Sequence, residues 1–135
     1  MTIPIVKWID GHKFIGIDST SHSVVLSSKD EGIGIKPSEL LLLGVASCSA
    51  VDVVDILTKK RMPLTFFEVT SSGEQDADPP WTFRKIHLHY KLAGKNLTAK
   101  AVEQAIHLSH EKYCSVAATI KATAEIISDF EILPD

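Results

Sequence analysis

The chain has 135 residues, about the length of one domain, and 44% of them are hydrophobic. A chain of this size buries roughly 70% of its unfolded surface on folding, so it needs neither disulfides nor a structural metal for stability. The formal net charge of −3 argues against the basic patch by which proteins bind nucleic acids. We therefore predict a single globular domain over residues 1–135, without a nucleic-acid partner.

The N-terminal residues and the longest apolar run determine the expected location. Residues 1–8 become polar too soon to form the apolar region of a secretion signal. The longest unbroken apolar run, Leu40 to Ala46 counting Gly44, is far shorter than the ~20 residues of a membrane span. We expect a soluble, cytoplasmic protein with no membrane partner, whose two cysteines are free thiols.

The N-terminal part of the chain contains three short β patterns, at residues 3–9, 13–18 and 23–27. They predict a small antiparallel meander, which is too small to bury much surface alone and is therefore expected to dock on another chain. Pro37 then provides a backbone angle suited to the first turn of a helix.

A long helix is predicted over residues 37–60. It ends where Lys59, Lys60 and Arg61 favour the negative end of the helix dipole and Pro63 prevents continuation. A helix with apolar residues around nearly its whole circumference must be buried, so we expect this to be the central helix of the fold. Its apolar residues are Leu40–Leu43, Val45, Ala46, Val51, Val53, Val54, Ile56 and Leu57.

The C-terminal half predicts a hairpin, two helical segments and a last strand. The hairpin strands are expected at residues 65–72 and 81–92, joined by the polar residues 73–80, and in the second strand apolar and polar residues alternate. Thr98 can cap a helix that ends near Tyr113, a helical turn follows at 115–121, and a strand is expected at 124–133. The predicted class is α+β, with an antiparallel sheet wrapped on the long buried helix. The inward residues of the second hairpin strand are Ile86, Leu88, Tyr90 and Leu92, and those of the helix after Thr98 are Val102, Ala105, Ile106 and Ser109.

The two cysteines, Cys48 in the long helix and Cys114 at a helix boundary, have two readings. Each is either a small buried hydrophobe or a reactive thiol, and the absence of a CxxC pattern argues against a zinc ribbon or a thioredoxin-type site. At ~100° per residue, Asp52 and Asp55 lie on the same helix face as Cys48. Because Asp52 would raise the Cys48 pKa, we expect a compensating arginine, lysine or histidine nearby. Cys114 precedes a predicted helix N-terminus, where a thiolate is stabilised.

Two segments of the chain resemble signatures of the OsmC/Ohr family. Residues 37–49, PSELLLLGVASCS, are similar to its Pro-x-Glu-Leu-Leu-Leu-x-(Ala/Gly)-x-Ala-x-Cys segment, and residues 110–114, HEKYC, to its His-x-x-x-Cys segment. The resemblance implies an intertwined α+β homodimer and a thiol peroxidase that reduces organic hydroperoxides without a cofactor. It implies that Cys48 is the peroxidatic cysteine and Cys114 the resolving one, and that an external dithiol regenerates both thiols.

Two positions depart from the family pattern. Ser38 stands where well-studied peroxidases of the family carry a glutamate, and Glu39, the neighbouring acid, would point away from Cys48 on a regular helix. The family's N-terminal arginine has no counterpart, because the only arginines are Arg61 and Arg84. Glu39, Asp52 and His110 are therefore candidate activating or orienting groups. The alternatives to a peroxidase are a binding module with little turnover and a redox sensor.

Histidines raise two further questions. His87 and His89 alternate on one strand face as two metal ligands would, but Lys85 and Lys91 share that face, so we predict a solvated surface and no metal site. His110 lies four residues before Cys114 and is expected either to hydrogen-bond a thiolate or to cap the last carbonyls of its helix.

Overall fold

The computed structural model describes residues 3–135, and their strands and main helices follow the predicted order. The chain divides into two compact units, Met1–Leu41 and Leu42–Asp135. The strands are β1 (Ile5–Asp10), β2 (Lys13–Ile17), β3 (Ser23–Ser27), β4 (Leu64–Gln75), β5 (Phe83–Gly94) and β6 (Glu125–Ile132). The helices are α1 (Pro37–Lys59), α2 (Ala99–Leu108) and α3 (Ser115–Ile120), with a π-helical turn at Ser109–Tyr113 between the last two.

The first unit contains the predicted antiparallel meander. β2 is the middle strand, and it pairs Phe14 with Trp8 of β1 and Ile15 with Val25 of β3. Every residue of β1 is exposed, including Trp8 at 67%. The apolar side chains of this strand are thus exposed.

The sheet of the second unit corrects one prediction. β4 and β5 form the expected antiparallel hairpin, with β4 extending to Gln75 and β5 beginning at Phe83, but β6 pairs with β5 in parallel, so that Tyr90 lies beside Phe130. The helices between β5 and β6 form a crossover connection, which returns the chain to the end of the sheet where β5 began. The predicted wholly antiparallel sheet is therefore wrong.

The crossover starts as the sequence predicts and ends differently. The Thr98 hydroxyl accepts a hydrogen bond from the Ala101 backbone N–H at 3.2 Å, which caps α2. Instead of continuing to Tyr113, α2 ends at Leu108 and widens into the π-helical turn, which closes with a 2.7 Å hydrogen bond from the Cys114 N–H to the Ser109 carbonyl. The extra residue in this turn directs the Ser109 side chain into the core and brings Cys114 to the start of α3.

The core of the second unit lies between α1 and the inner face of β5. Ile86, Leu88, Tyr90 and Leu92 are fully buried, which confirms the predicted alternation. They pack in one cluster with the buried stripe of α2 and with the apolar residues of one side of α1, which are Leu42, Val45, Ala46, Val53 and Leu57.

The expectation that α1 is buried all round is wrong for the single chain. Leu43 is 51% exposed and Val51 is 69% exposed, because the chain covers only one side of the helix. Val54 continues this exposed stripe at helical spacing. An apolar helix face left open to solvent is typical of a surface that another molecule covers.

α1 also has the length and composition of a membrane span. Its most apolar window has a mean hydropathy of 2.1, and 33% of that window is buried inside the chain. The longest unbroken apolar run of α1 does not reveal this property, because Ser47 and Ser49 interrupt the run without lowering the mean hydropathy of the helix much. The core helix of a soluble protein meets the same criterion, so the property does not by itself indicate a membrane.

Replacing either of two glycines of the second unit with alanine should change the free energy of unfolding, in opposite directions. A Cβ on Gly94 would lie 2.5 Å from the Pro63 carbonyl oxygen, so we expect Gly94→Ala to cost about 1–3 kcal/mol of unfolding free energy. A Cβ on Gly44, inside α1, would come no closer than 3.9 Å to Val116, so Gly44→Ala should gain about 1 kcal/mol through helix propensity. Urea unfolding at one fixed protein concentration measures both, and equal effects of the two changes would contradict this prediction.

Candidate functional site

Cys48 lies near the middle of α1, on the border between its buried and exposed sides. Its side chain is partly exposed, while the next residue, Ser49, is fully buried. The thiol is therefore accessible at the edge of the core.

Cys114 is the residue before α3, and it is buried at 2% exposure. Its sulfur accepts a hydrogen bond from the Ala117 backbone N–H at 3.3 Å, so the thiol acts as the N-cap of the helix. The π-helical turn and the start of α3 together fix the position of this side chain.

The two thiols act on each other's pKa, and their pKa values move in opposite directions. Burial raises the pKa of Cys48, but hydrogen bonds from the Cys114 thiol, the Val116 backbone N–H and the Ser115 side chain outweigh it, so the pKa is lowered. Burial raises the pKa of Cys114 to about 11, and the neighbouring Cys48 adds to the increase. At neutral pH Cys48 is the better thiolate, and Cys114 is a protonated thiol that donates to it.

Hydrogen-bond donors stabilise the Cys48 thiolate, where the sequence predicted a cation. Among residues 42–135, the strongest influences on its pKa are the three donors, together with the Asp52 carboxylate, whose charge raises it. The predicted effect of Asp52 is thus present in the structure.

Asp52 and His110 stand at the two ends of a buried hydrogen-bond network. Asp52 accepts from the Ser109 hydroxyl at 2.8 Å, and the Ser109 and Ser49 oxygens are 3.0 Å apart. Ser49 Oγ is 2.6 Å from the Tyr90 hydroxyl, which lies 3.0 Å from His110 Nε2. His110 thus bonds a tyrosine, and not the thiolate or the helix carbonyls that the sequence suggested.

A family model described as an OsmC-like protein matches residues 28–129 of the chain. The chain belongs to the OsmC-like family. Its mixed α+β fold, with two sheets and intervening helices, is that of OsmC-like structures.

Relatives of this OsmC-like chain cover almost its whole length. Protein YhfA of Escherichia coli K12 is 34% identical over 128 residues, which are 95% of this chain and 96% of that protein. A hypothetical protein from Aquifex aeolicus is 31% identical, with a TM-score of 0.89 and coverage of 100% and 98% of the two chains. An organic hydroperoxide resistance protein OsmC from Legionella pneumophila, 18% identical over 95% and 96% of the chains, has a TM-score of 0.69 and shares the fold.

Two other acids that the sequence analysis considered are exposed: Asp55, on the predicted Cys48 face of α1, and Glu39, a candidate activating group. Asp55 forms a 3.1 Å ion pair with Lys59 on the surface of α1. Glu39 lies in the first turn of α1, in the first unit, and its side chain is also exposed. Of the predicted residues in the second unit, the structure brings together Cys48, Cys114, Asp52 and His110.

Three residues of the site were not predicted from the sequence: Ser49, Tyr90 and Ser109. Tyr90 and Ser109 were predicted to face the core, but on the same footing as their apolar neighbours. Burying a hydroxyl costs free energy unless it has a hydrogen-bond partner. The hydroxyls of Tyr90 and Ser109 at predicted core positions therefore indicated that these residues bond to each other or to the site.

The outer face of the second sheet carries one group with metal-ligand geometry. The ligand atoms of His87, His89 and Asp129 lie within 4.8 Å of one another. His87 Nε2 is 3.0 Å from Asp129 Oδ1, and pairing with Asp129 and Glu131 raises the pKa of His89. These contacts already form an ion-pair cluster across β5 and β6, and the predicted lack of a metal stays a prediction.

The Asp52 carboxylate should control the reactivity of Cys48. We expect Asp52→Asn to lower the Cys48 pKa further and to increase its alkylation by iodoacetamide at pH 7 about threefold, because a negative charge one helical turn away is removed. Asp55→Asn is the matched control, since it removes the same charge from an exposed pair with Lys59. Equal alkylation rates for wild type and Asp52→Asn would contradict the prediction.

Proposed function

We propose that this protein is a thiol peroxidase that reduces organic hydroperoxides to alcohols, with Cys48 as the attacking thiol and Cys114 as the resolving thiol. The observation that carries the proposal is the pair of neighbouring thiols with opposite pKa shifts. The partly exposed Cys48 has the lowered pKa that an attacking thiol needs, and the buried Cys114 holds its proton until it is required.

The first step is attack of the Cys48 thiolate on the terminal oxygen of the hydroperoxide. An S–O bond forms, the O–O bond breaks, and the leaving alkoxide takes up a proton to become the alcohol. Sulfur is oxidised to the sulfenic acid while the peroxide is reduced. The donors from Val116 and Ser115 keep the thiolate available at neutral pH.

The second step joins the two cysteines. The Cys114 sulfur attacks the Cys48 sulfenic acid, an S–S bond forms, and the thiol proton leaves with the hydroxyl group as water. An external dithiol then reduces the disulfide by exchange, and no cofactor is required. Such a cycle fits a protein of the cytoplasm, where dithiol reductants are available.

The names of relatives support hydroperoxides as substrates. The Legionella pneumophila structure and one from Elizabethkingia anophelis are both described as organic hydroperoxide resistance proteins. Their identities to this chain are 18% and 13%, so the substrate is a proposal for this chain.

We also propose that the working form is a homodimer. The exposed α1 stripe of Leu43, Val51 and Val54 and the exposed strand β1 each present apolar side chains that the single chain leaves uncovered. A second copy would cover both surfaces by the symmetry usual in homodimers.

A stopped-flow experiment tests the peroxidase. The reduced protein is mixed with one equivalent of cumene hydroperoxide, loss of thiol is timed, and the product is mapped by mass spectrometry. We expect rapid formation of a Cys48–Cys114 disulfide, and no reaction in Cys48→Ser. Oxidation no faster than that of free cysteine would overturn the proposal.

That outcome would favour a binding module, whereas slow re-reduction of a readily formed disulfide would favour a redox sensor. The observation behind this alternative is that donors alone, and no cation, are the groups in the second unit that most strongly lower the Cys48 pKa. A sensor would form the disulfide readily but be re-reduced slowly, and a binding module would resist oxidation.

A further inference from the structure

The network that runs through the second unit from Asp52 to His110 is a continuous chain of hydrogen bonds. Its four links join Asp52 to Ser109, Ser109 to Ser49, Ser49 to Tyr90, and Tyr90 to His110. Each of the three hydroxyls has two partners in the chain and can therefore accept one hydrogen bond and donate another.

One direction of donation satisfies every group. Ser109 has one hydrogen and lies within donating distance of both Asp52, at 2.8 Å, and Ser49, at 3.0 Å. The carboxylate has no hydrogen to give, so when Ser109 donates to Asp52 its oxygen is left to accept from Ser49. Ser49 in turn accepts from the Tyr90 hydroxyl, and Tyr90 accepts from His110 Nε2–H. Reversing all four bonds moves one proton from His110 to Asp52 and leaves each hydroxyl with one hydrogen, as before.

The three hydroxyl-bearing residues in the middle of the network are shielded from solvent. Ser49, Tyr90 and Ser109 are each fully buried, and burial raises the pKa of Tyr90 to about 12, so its phenol stays protonated. Burying hydroxyls gains little over apolar side chains of the same size, even when they are satisfied. Packing alone therefore does not explain why three hydroxyls are buried next to one another.

The two ends of the hydrogen-bond network lie in different places. Asp52 is one helical turn from Cys48, and its charge acts on that thiol. His110 lines an open groove of about 1080 Å³ between α2 and β6, together with Lys100, Glu103, His107 and Phe130. The hydrogen-bond network thus connects the surroundings of the Cys48 thiol with a separate groove that is open to solvent.

We propose that this network is a proton relay that supplies the proton consumed when Cys48 reduces a hydroperoxide, an inference that rests on the proposed function. Ser109 donates its proton to the Asp52 carboxylate, while Ser49 donates to Ser109, Tyr90 to Ser49, and His110 Nε2 to Tyr90. Asp52 passes that proton to the alkoxide released on O–O cleavage, which leaves as the alcohol, so that Asp52 is again a carboxylate. The other ring nitrogen of His110 takes up a proton from water in the groove.

The protonation state of His110 suits this role. Burial lowers its pKa and is opposed by the nearby carboxylates of Glu111 and Asp52, while His107 and Lys121 lower it further. The ring is therefore neutral at pH 7, with one nitrogen free to accept a proton while the other donates.

The test compares the rate of Cys48 sulfenic acid formation in H₂O and D₂O. For wild type we expect a solvent isotope effect, and for Tyr90→Phe a rate about 10² lower, as for loss of general acid catalysis. His110→Ala should slow the step similarly and recover on addition of imidazole, which fits the groove. Glu103→Gln, in the same groove but outside the hydrogen-bond network, should react like wild type. Iodoacetamide alkylation and thermal unfolding check that the thiol and the fold are intact.

The outcomes separate the two proposals. A fast wild type with Tyr90→Phe and His110→Ala equally fast, and with the same isotope effect, would overturn the relay and leave the peroxidase standing. A wild type that reacts no faster than free cysteine would overturn the peroxidase itself. Slow variants that imidazole does not rescue, with Cys48 alkylation changed in parallel, would assign the network a structural role and overturn the relay.

Discussion

Replacing Cys114 should separate the two steps of the proposed cycle. We expect Cys114→Ser to react with one equivalent of hydroperoxide at nearly the wild-type rate, because the serine hydroxyl still donates to the Cys48 thiolate. Without the second thiol no disulfide forms, so the sulfenic acid accumulates and can be trapped with dimedone. Turnover with a millimolar external dithiol should fall about 10²-fold or more, since a neighbouring thiol acts at a far higher effective concentration.

Cys114→Ala is the matched variant, because it removes the hydrogen bond as well as the second sulfur. Its Cys48 pKa should be higher than that of Cys114→Ser, and its alkylation by iodoacetamide at pH 7 correspondingly slower. Two variants with the same alkylation profile would show that the Cys114 thiol contributes nothing to the activation of Cys48. A disulfide in either variant would mean that another copy of Cys48 resolves the sulfenic acid.

A carboxylate on the exposed side of α1 should break the proposed dimer. Val51 is 69% exposed in the single chain, and in a symmetric dimer formed by this face Val51→Asp would bury two unpaired charges. At about 2 kcal/mol for each copy, the dimer dissociation constant rises about 10³-fold. Light scattering coupled to gel filtration should then report a monomer at micromolar concentration.

Lys100→Glu is the control for this prediction, because it places a carboxylate on the exposed surface of α2 without touching the apolar stripe. It should leave the oligomeric state unchanged. A wild-type protein that elutes as a monomer, or a Val51→Asp variant that stays dimeric, would contradict the assignment of the α1 stripe as the interface.

Local patterns in the sequence were sufficient for most elements of the fold. The alternation along β5 and the stripe of α2 each reflect a periodicity that a single element imposes on its own residues, and both agree with the observed burial. The direction of β6 was not predictable in this way. Its residues are compatible with either direction, and the choice depends on where the crossover delivers the chain.

The candidate site, like the fold, was predictable from the sequence only in part. The sequence singled out Cys48, Cys114, Asp52 and His110, because each is chemically unusual in its place, and the structure brings these four together. The hydroxyls that link them come from α1, β5 and the π-helical turn, which are far apart in the chain, so no local pattern reveals their contacts. Likewise, the donors to Cys48 include the backbone N–H of Val116, a group that every residue type except proline provides.

The π-helical turn at Ser109–Tyr113 makes the chain more sensitive to a change of length than to a change of composition at this point. Three of its five side chains, those of Glu111, Lys112 and Tyr113, are exposed and can vary with little effect on the core. Removing any one residue would break the hydrogen bond from the Cys114 N–H to the Ser109 carbonyl that closes this turn, and would displace the Cys114 thiol from its place beside Cys48. Natural variants of this segment are therefore expected to exchange residues freely at the three exposed positions while keeping the spacing from Ser109 to Cys114 constant.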